Sequence, residues 1–159
     1  FVPAAATAAT LVVCPAAIAG QWVGELRRHA PSLDVAEYPG VQALQKAARD
    51  ARRVLASKRR RGDDARRENA ARALADALDR LSGARLRTAE ICLATFGALR
   101  RDQHHAPETA IPAGAPASPL MTTTWWRVCV DEAQVVRGGA TAAATVARRL
   151  RGKRRWCVS

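Results

Sequence analysis

Two adjacent carboxylates, Asp131 and Glu132, directly follow the apolar run Val128-Cys129-Val130. Neighbouring acids repel each other unless a cation shares their place, and a hydrated Mg²⁺ needs only one or two protein carboxylates. One acid can then hold the metal while its neighbour orients or deprotonates a water molecule. The pair therefore predicts a magnesium-assisted hydrolytic site. The structural alternative is an acid pair that caps the next helix.

The elements that must position these acids alternate between strands and helices. Short apolar or alternating runs predict strands, and they read TLVVC, LDVAEY, EICLAT, WWRVCV and RWCVS. Apolar residues at helical spacing between these runs, such as Ile18, Trp22 and Leu26, predict the connecting helices. The order predicts an α/β fold with a parallel sheet. Because ligands of such sheets bind at the carboxyl ends of the strands, Asp131 and Glu132 stand where a site is expected.

Two segments interrupt this alternation. Residues 41–88 contain 14 Lys or Arg and 6 Asp or Glu, and they predict an inserted basic helical hairpin that breaks at Gly62 and stops at Gly83. Such a hairpin is either a solvated surface or an arm that contacts phosphates. Residues 102–124 hold four prolines without periodicity, which predicts a long, flexible surface loop. His104-His105 lies in this loop without nearby metal ligands.

The bulk composition limits the partners and the compartment. The net charge of +12 favours a polyanion, with nucleic acid first and an anionic membrane second. No apolar run approaches the roughly 20 residues of a membrane-spanning helix. The four cysteines, Cys14, Cys92, Cys129 and Cys157, lie in apolar runs without zinc spacing, so we expect buried thiols in a reducing compartment. The N-terminal sequence lacks an initiator Met, so we expect a piece of a longer chain.

Four segments resemble, in the same order, motifs of the Swi/Snf-type DNA-dependent ATPases of helicase superfamily two. The segment VCVDEAQVV resembles their Walker B box in a DEAQ form. The other three resemble motif Ia, the strand that usually ends in Thr-Thr-Tyr, and the opening of motif III; they read TLVVCPAAIAGQWVGELRRHAPSLDVAEYPG, ICLATFGALRRD and KRRWCVS. Within this family the chain looks most like the SHPRH branch, whose members also carry a RING ubiquitin-ligase domain.

The resemblance implies an incomplete RecA-like (P-loop NTPase) lobe over residues 1–159, with ATP and Mg²⁺ as cofactors. Asp131 would hold Mg²⁺ through water, Glu132 would polarise the attacking water, and Gln134 would couple the nucleotide site to motif III. The implied partners are double-stranded DNA, nucleosomes and a second ATPase lobe of the parent chain. The implied location is the nucleus.

The same resemblance implies the DNA contacts. Pro15, Thr95 and Phe96 match the segments that contact the phosphates of one DNA strand. Trp22 and Glu25 match the helix of motif Ia, although the position of Trp22 on an apolar helix face predicts a core residue.

The sequence contains no G-x-x-x-x-G-K-[ST] phosphate-binding loop. In the family this loop precedes the segments seen here, so we expect the parent protein to be a DNA translocase and the isolated chain to be inactive. Two alternatives stay open: a non-enzymatic basic nucleic-acid-binding module, and a different P-loop enzyme such as a nuclease.

Overall fold

The structure is a computed structural model that describes residues 5–59, 62–106, 115–137 and 141–159. The strands are β1 (Ala5–Ala6), β2 (Thr10–Cys14), β3 (Val35–Tyr38), β4 (Ile91–Thr95), β5 (Thr123–Val130) and β6 (Arg151–Cys157). The α-helices are α1 (Ala16–His29), α2 (Val41–Ala56), α3 (Asp64–Ser82), α4 (Ala84–Thr88), α5 (Phe96–Asp102), α6 (Pro119–Thr122) and α7 (Ala142–Arg149). Short 3₁₀ helices span Gln103–His105 and Ala133–Val136.

The six strands form one parallel sheet. Strand β2 lies between β4 and β5, β3 pairs with the outer side of β4, and β6 pairs with β5, whose beginning also pairs with β1. In this register Cys14 lies beside Thr95, and Val13 beside Val130. The predicted parallel α/β fold is therefore confirmed, and the carboxyl ends of β2, β4 and β5 meet at one edge.

The two faces of the sheet are covered unequally because alternate strand residues point to opposite faces. Leu11 and Val13 belong to the main core, in which Trp125 is fully buried. Val12 and Cys14 point the other way, into a smaller cluster beneath α1. No residue of α1 is fully buried. Every residue of this helix is therefore at least partly accessible.

The predicted helical hairpin is confirmed as α2 and α3, and residues 60 and 61 at its turn lie outside the described part. Helix α3 ends at Ser82, and Gly83 follows with a φ of 76°, a left-handed conformation that glycine adopts without steric cost. Asp63 occupies the cap position of α3, but its side chain makes no capping hydrogen bond.

A buried carboxylate joins this hairpin to the sheet. Asp102, the last residue of α5, is fully buried. Its Oδ2 accepts hydrogen bonds from Tyr38 Oη at 2.7 Å and Ser118 Oγ at 2.5 Å. Its Oδ1 accepts a hydrogen bond from the backbone N–H of Val41 at 3.0 Å, at the first turn of α2. A carboxylate at this position also interacts favourably with the helix dipole.

The prediction of a surface loop over residues 102–124 does not hold at the two ends of that segment. A 3₁₀ helix follows Asp102, and α6 precedes β5; Leu120 and Met121 are buried in the main core. Pro119 is in the first turn of α6, where a missing N–H costs nothing. Residues 107–114 lie outside the described part.

Burial of the cysteines is also only partly as predicted. Cys14, Cys92 and Cys129 are buried free thiols, whereas Cys157 is exposed. Cys157 is the last residue of β6, and the last five residues of this strand are all exposed.

Candidate active site

The paired acids lie at the carboxyl edge of the sheet, as the sequence predicts. Asp131 directly follows β5, and its backbone N–H donates a hydrogen bond to the carbonyl of Val13 in β2 at 2.8 Å. Pro15 directly follows β2, and Thr95 is the last residue of β4. The fold therefore brings the predicted metal-binding acid and two of the predicted DNA contacts to adjacent strand ends.

The carboxylate of Asp131 is held by two donors. Its Oδ1 accepts the backbone N–H of Glu132 at 2.9 Å, and its Oδ2 accepts the indole N–H of Trp22 at 2.8 Å. A carboxylate has about four acceptor sites, so both oxygens can still accept hydrogen bonds from metal-bound water. Asp131 is only partly buried and remains accessible. This donor set fits a magnesium ion held through water.

Glu132 has an unusual backbone. Its φ of 53° and ψ of 49° place it in the left-handed region, and it is the one non-glycine residue with positive φ in the described ranges. Non-glycine residues in this region cluster at functional sites. The side chain of Glu132 makes no capping hydrogen bond to the following 3₁₀ helix, so it does not act as the helix cap that the structural alternative required. The amide of Gln134 contacts its carboxylate instead.

Backbone hydrogen bonds connect the segment around the acids to Val158, which follows β6. The N–H of Ala133 donates to the carbonyl of Val158 at 2.9 Å, and the N–H of Val158 donates to the carbonyl of Val130 at 2.9 Å. These two bonds join the segment of Glu132 and Gln134 to the segment that resembles the opening of motif III.

Trp22 is the site residue that the sequence prediction missed. Its half-buried ring packs against the small core cluster, which agrees in part with the predicted core position, and its N–H also donates a hydrogen bond to Asp131. A cavity of about 390 Å³ opens beside it, and its lining residues are Ile18, Gln21, Trp22, Glu25, Asp131 and Glu132. The sequence signal that could have identified Trp22 as a site residue is the Gln-Trp-x-x-Glu spacing, because Gln21, Trp22 and Glu25 all line this cavity.

Burial and the negative charge of Asp131 both raise the pKa values of two neighbouring thiols, Cys14 and Cys129. Burial, and then the charge of Asp131, raises the pKa of Cys14 to about 11. The same two causes, in the same order, raise the pKa of Cys129. Both thiols therefore stay protonated at neutral pH, and a protonated thiol is a poor nucleophile. These cysteines are packing residues and not reactive groups.

The predicted DNA contacts differ in what they can offer. The hydroxyl of Thr95 accepts the N–H of Ala98 at 3.2 Å and so caps α5, but its O–H can still be donated to a phosphate. The side chain of Phe96 is 8% exposed and lies in the main core. Phe96 can therefore contact DNA only through its backbone.

Other candidate sites are weaker. The ring Nδ1 of His105 lies 3.0 Å from the carbonyl of Pro116, and no group of three or more potential metal ligands occurs in the described parts of the chain. Within the same ranges, no helix is both long and apolar enough to cross a membrane.

Comparison with known proteins identifies the family. The family model for the SNF2-related domain matches residues 3–159. The chain belongs to the SNF2-related domain family. The Swi/Snf resemblance predicted from the motifs is thereby confirmed.

Individual relatives agree with this assignment. The SNF2-related domain is 31% identical over 167 residues to the Homo sapiens protein named E3 ubiquitin-protein ligase SHPRH, and 31% identical over 170 residues to the Mus musculus protein of that name. Each match covers 96% of this chain and 8% of the relative, so the chain spans a small part of their length. The SWI2/SNF2 ATPase core of Sulfolobus solfataricus, solved in complex with dsDNA, matches 95% of this chain and 21% of that chain with a TM-score of 0.55 at 20% identity. This match confirms the RecA-like fold.

Proposed function

We propose that the chain forms part of the ATP-binding lobe of a DNA translocase of the Swi/Snf type. The observation that carries this proposal is the position of Asp131 and Glu132 directly after a central parallel strand, next to the ends of β2 and β4. Membership of the SNF2-related family favours such a motor over the two alternatives, a non-enzymatic basic module and an unrelated P-loop enzyme.

The surroundings of the acids support the roles that the family resemblance implies. Asp131 would hold Mg²⁺ through water with its remaining acceptor sites, while Trp22 and the N–H of Glu132 fix the orientation of its carboxylate. The metal would neutralise charge on the phosphates of ATP. Glu132 would polarise the attacking water, and its carboxylate accepts a hydrogen bond from the side-chain amide of Gln134. Gln134 would couple this acid to the motif III segment.

The partners are double-stranded DNA and, in the parent protein, nucleosomes and a second ATPase lobe. The Sulfolobus relative was solved with dsDNA, and the net charge of +12 suits a polyanion. We infer that the parent protein is a nuclear chromatin remodeller that also carries a RING ubiquitin-ligase domain; similarity to a protein named E3 ubiquitin-protein ligase SHPRH supports the ligase part of this proposal. Pro15, Thr95 and the backbone of Phe96 would contact one DNA strand.

The decisive experiment measures DNA-stimulated ATP hydrolysis by the full-length protein. Glu132→Gln should lower the turnover rate by about 100-fold or more, because a general base contributes roughly 10²–10⁴-fold. Glu37→Gln is the matched control, since the side chain of Glu37 is exposed on β3, and it should leave turnover unchanged. Equal turnover of Glu132→Gln and the unmodified protein would refute the proposed mechanism.

The isolated chain provides a second test. Its sequence has no Gly-Lys-[ST] phosphate-binding loop, so we expect no measurable ATP hydrolysis with or without DNA. DNA-stimulated hydrolysis by the isolated chain would contradict this expectation.

A further inference from the structure

The hairpin of α2 and α3 covers only part of its own apolar surface. Two residues of α3 are buried, and both are small: Ala70 and Ala77. The leucines of this helix are larger and more accessible, since Leu74 and Leu81 are half-buried and Leu78 is 42% exposed. Helix α3 therefore presents leucine side chains that the described part of the chain does not fully cover.

These leucines have the spacing of a helix-packing seam. Leu74, Leu78 and Leu81 are separated by four and then three residues, like the a and d positions that meet a facing helix in a coiled coil. Within the described ranges, α2 lies alongside α3 but leaves Leu78 exposed. Covering this seam therefore requires a further helix.

A groove of about 610 Å³ contains Leu78, and we call it the leucine groove. Its apolar lining residues are Ala48, Leu78, Leu81 and Pro116. Two uncharged polar residues and two cations complete the lining. The volume is within the range of roughly 300–1,000 Å³ that is typical of binding clefts. The groove is therefore large enough to take several side chains of a partner.

Both charged residues that line the leucine groove are cations of α2, Arg49 and Arg52. Arg49 interacts electrostatically with Asp50, but the carboxylate of Asp50 is also bound to Lys46 at 2.7 Å. No acidic residue of the described part of the chain lines the groove. The groove therefore carries an excess of positive charge, and charge complementarity favours an occupant that brings carboxylates.

The lining favours a peptide over a nucleic acid or a membrane. A phosphate backbone is bound by charged and polar donors, whereas half of this lining is apolar. No aromatic residue of the described part lines the groove, so a base has no ring to stack on. A membrane helix needs a broad apolar face, whereas Leu78 is the one large apolar residue that the described part of the hairpin exposes. An apolar floor beside cations matches the two faces of an acidic amphipathic helix.

The hairpin holds the leucine groove in a fixed shape. Arg67 of α3 donates hydrogen bonds to the carbonyls of Leu55 at 2.7 Å and Ser57 at 3.1 Å, at the end of α2. The first turn of α2 is fixed by the hydrogen bond from the N–H of Val41 to the buried Asp102. Both ends of α2 are therefore anchored, and a partner helix would meet a preformed surface.

We propose that the leucine groove binds an acidic amphipathic helix of a partner protein. Aliphatic side chains of that helix would pack against Leu78 and Leu81, and its carboxylates would lie beside Arg49 and Arg52. This contact uses no residue of the active site and needs no nucleotide, so it is independent of the function proposed above.

The test measures binding of a fluorescein-labelled helical peptide to the complete 159-residue chain by fluorescence anisotropy. The peptide has about 18 residues, or five helical turns, with leucine at its a and d positions and glutamate at the others. Two control peptides change one face each: in one, alanine replaces every leucine, and in the other, lysine replaces every glutamate. Only the peptide with leucine and glutamate should bind well.

The apolar contact is tested with Leu78→Ser. This variant should weaken binding of the leucine–glutamate peptide by about 10-fold, because the exposed part of a leucine is no longer buried by the partner. Ala75→Ser is the matched control, since Ala75 is an exposed residue of the same helix and does not line the groove. Leu78→Met keeps an apolar side chain and should retain binding. Circular dichroism checks that each variant is folded.

The charge contact is tested with the double variant Arg49→Gln and Arg52→Gln. It should weaken binding about fivefold at roughly 0.1 M salt, and the difference should disappear near 1 M salt, where charges are screened within about 3 Å. The control combines Arg66→Gln with Arg72→Gln, which removes the same charge from residues of α3 outside the groove. This control should bind like the unmodified chain.

Several outcomes would overturn the proposal. Absence of binding, or equal binding of the glutamate and lysine peptides, would show that the groove does not select an acidic helix. Equal binding by Leu78→Ser and Ala75→Ser would remove the apolar contact; if Leu78→Ser does not fold, equal binding of the alanine peptide would do the same. A short DNA duplex whose own binding is weakened by Leu78→Ser would assign the groove to nucleic acid. A dimer of the unmodified chain that Leu78→Ser converts to a monomer would assign it to a second copy.

Discussion

Removal of the Ser118 hydroxyl tests whether the buried Asp102 holds the hairpin in place. Ser118 is fully buried, and its Oγ donates to Asp102 Oδ2 at 2.5 Å. Although Ser118 precedes α6, its side chain makes no capping hydrogen bond, and its hydroxyl belongs to the buried hydrogen-bonded group of Asp102 and Tyr38. Hydrogen bonds to charged groups contribute about 1.5–3 kcal/mol. We therefore expect Ser118→Ala to lower the free energy of unfolding by about 2 kcal/mol.

Ser82→Ala is the matched control. It removes a hydroxyl from an exposed serine whose Oγ donates to the carbonyl of Asp79 at 2.8 Å, and such surface changes stay within about 0.5 kcal/mol. Urea unfolding followed by circular dichroism measures both variants. In a chain of this size, about 2 kcal/mol corresponds to a decrease in melting temperature of about 4–8 °C.

Tyr38→Phe provides an internal check, because Tyr38 donates to the same oxygen as Ser118. Two donors on one acceptor should be coupled, so the effects of Tyr38→Phe and Ser118→Ala should not add in the double variant. The reasoning is refuted if Ser118→Ala is no more destabilising than Ser82→Ala, since the carboxylate would then not depend on this donor.

Three further predictions concern the active-site edge and the cysteines. A double-mutant cycle of Trp22→Phe and Asp131→Ala, measured by urea unfolding, should give a coupling of about 1 kcal/mol or more; a coupling near zero would remove the indole as a ligand of this carboxylate. A thiol reagent should modify Cys157 at once and the buried thiols only after denaturation. Burial raises the pKa of Cys92 from 9.0 to about 12, so the folded thiol keeps its proton while the unfolded thiol loses it, and stability should fall as the pH rises from 9 to 12. Stability that is constant over this range would contradict the effect of burial.

The parallel sheet and the place of the acids could be predicted because they depend on local pattern. A continuous apolar run such as TLVVC is typical of a strand covered on both faces, and acids that follow such a run lie at its carboxyl end. The hairpin could be predicted for the same reason, since helical spacing and Gly83 are local signals.

Contacts between distant residues could not be predicted. The apolar helix face that contains Trp22 has the same sequence pattern whether its indole N–H meets water or a carboxylate 109 residues away. Asp102 begins the segment that was predicted as a surface loop, and only the fold brings Tyr38 to it, 64 residues away. Burial of Cys157 depends on what covers β6, which the strand pattern itself does not encode.

Helix α1 places two parts of the proposed machinery on one rigid body. It begins directly after Pro15, and two turns later the indole of Trp22 is bonded to Asp131. At about 1.5 Å per residue, these two points are separated by roughly 10 Å of uninterrupted helix. No loop lies between these two points. A shift of the Pro15 end towards or away from a bound DNA strand would therefore change the orientation of the Asp131 carboxylate.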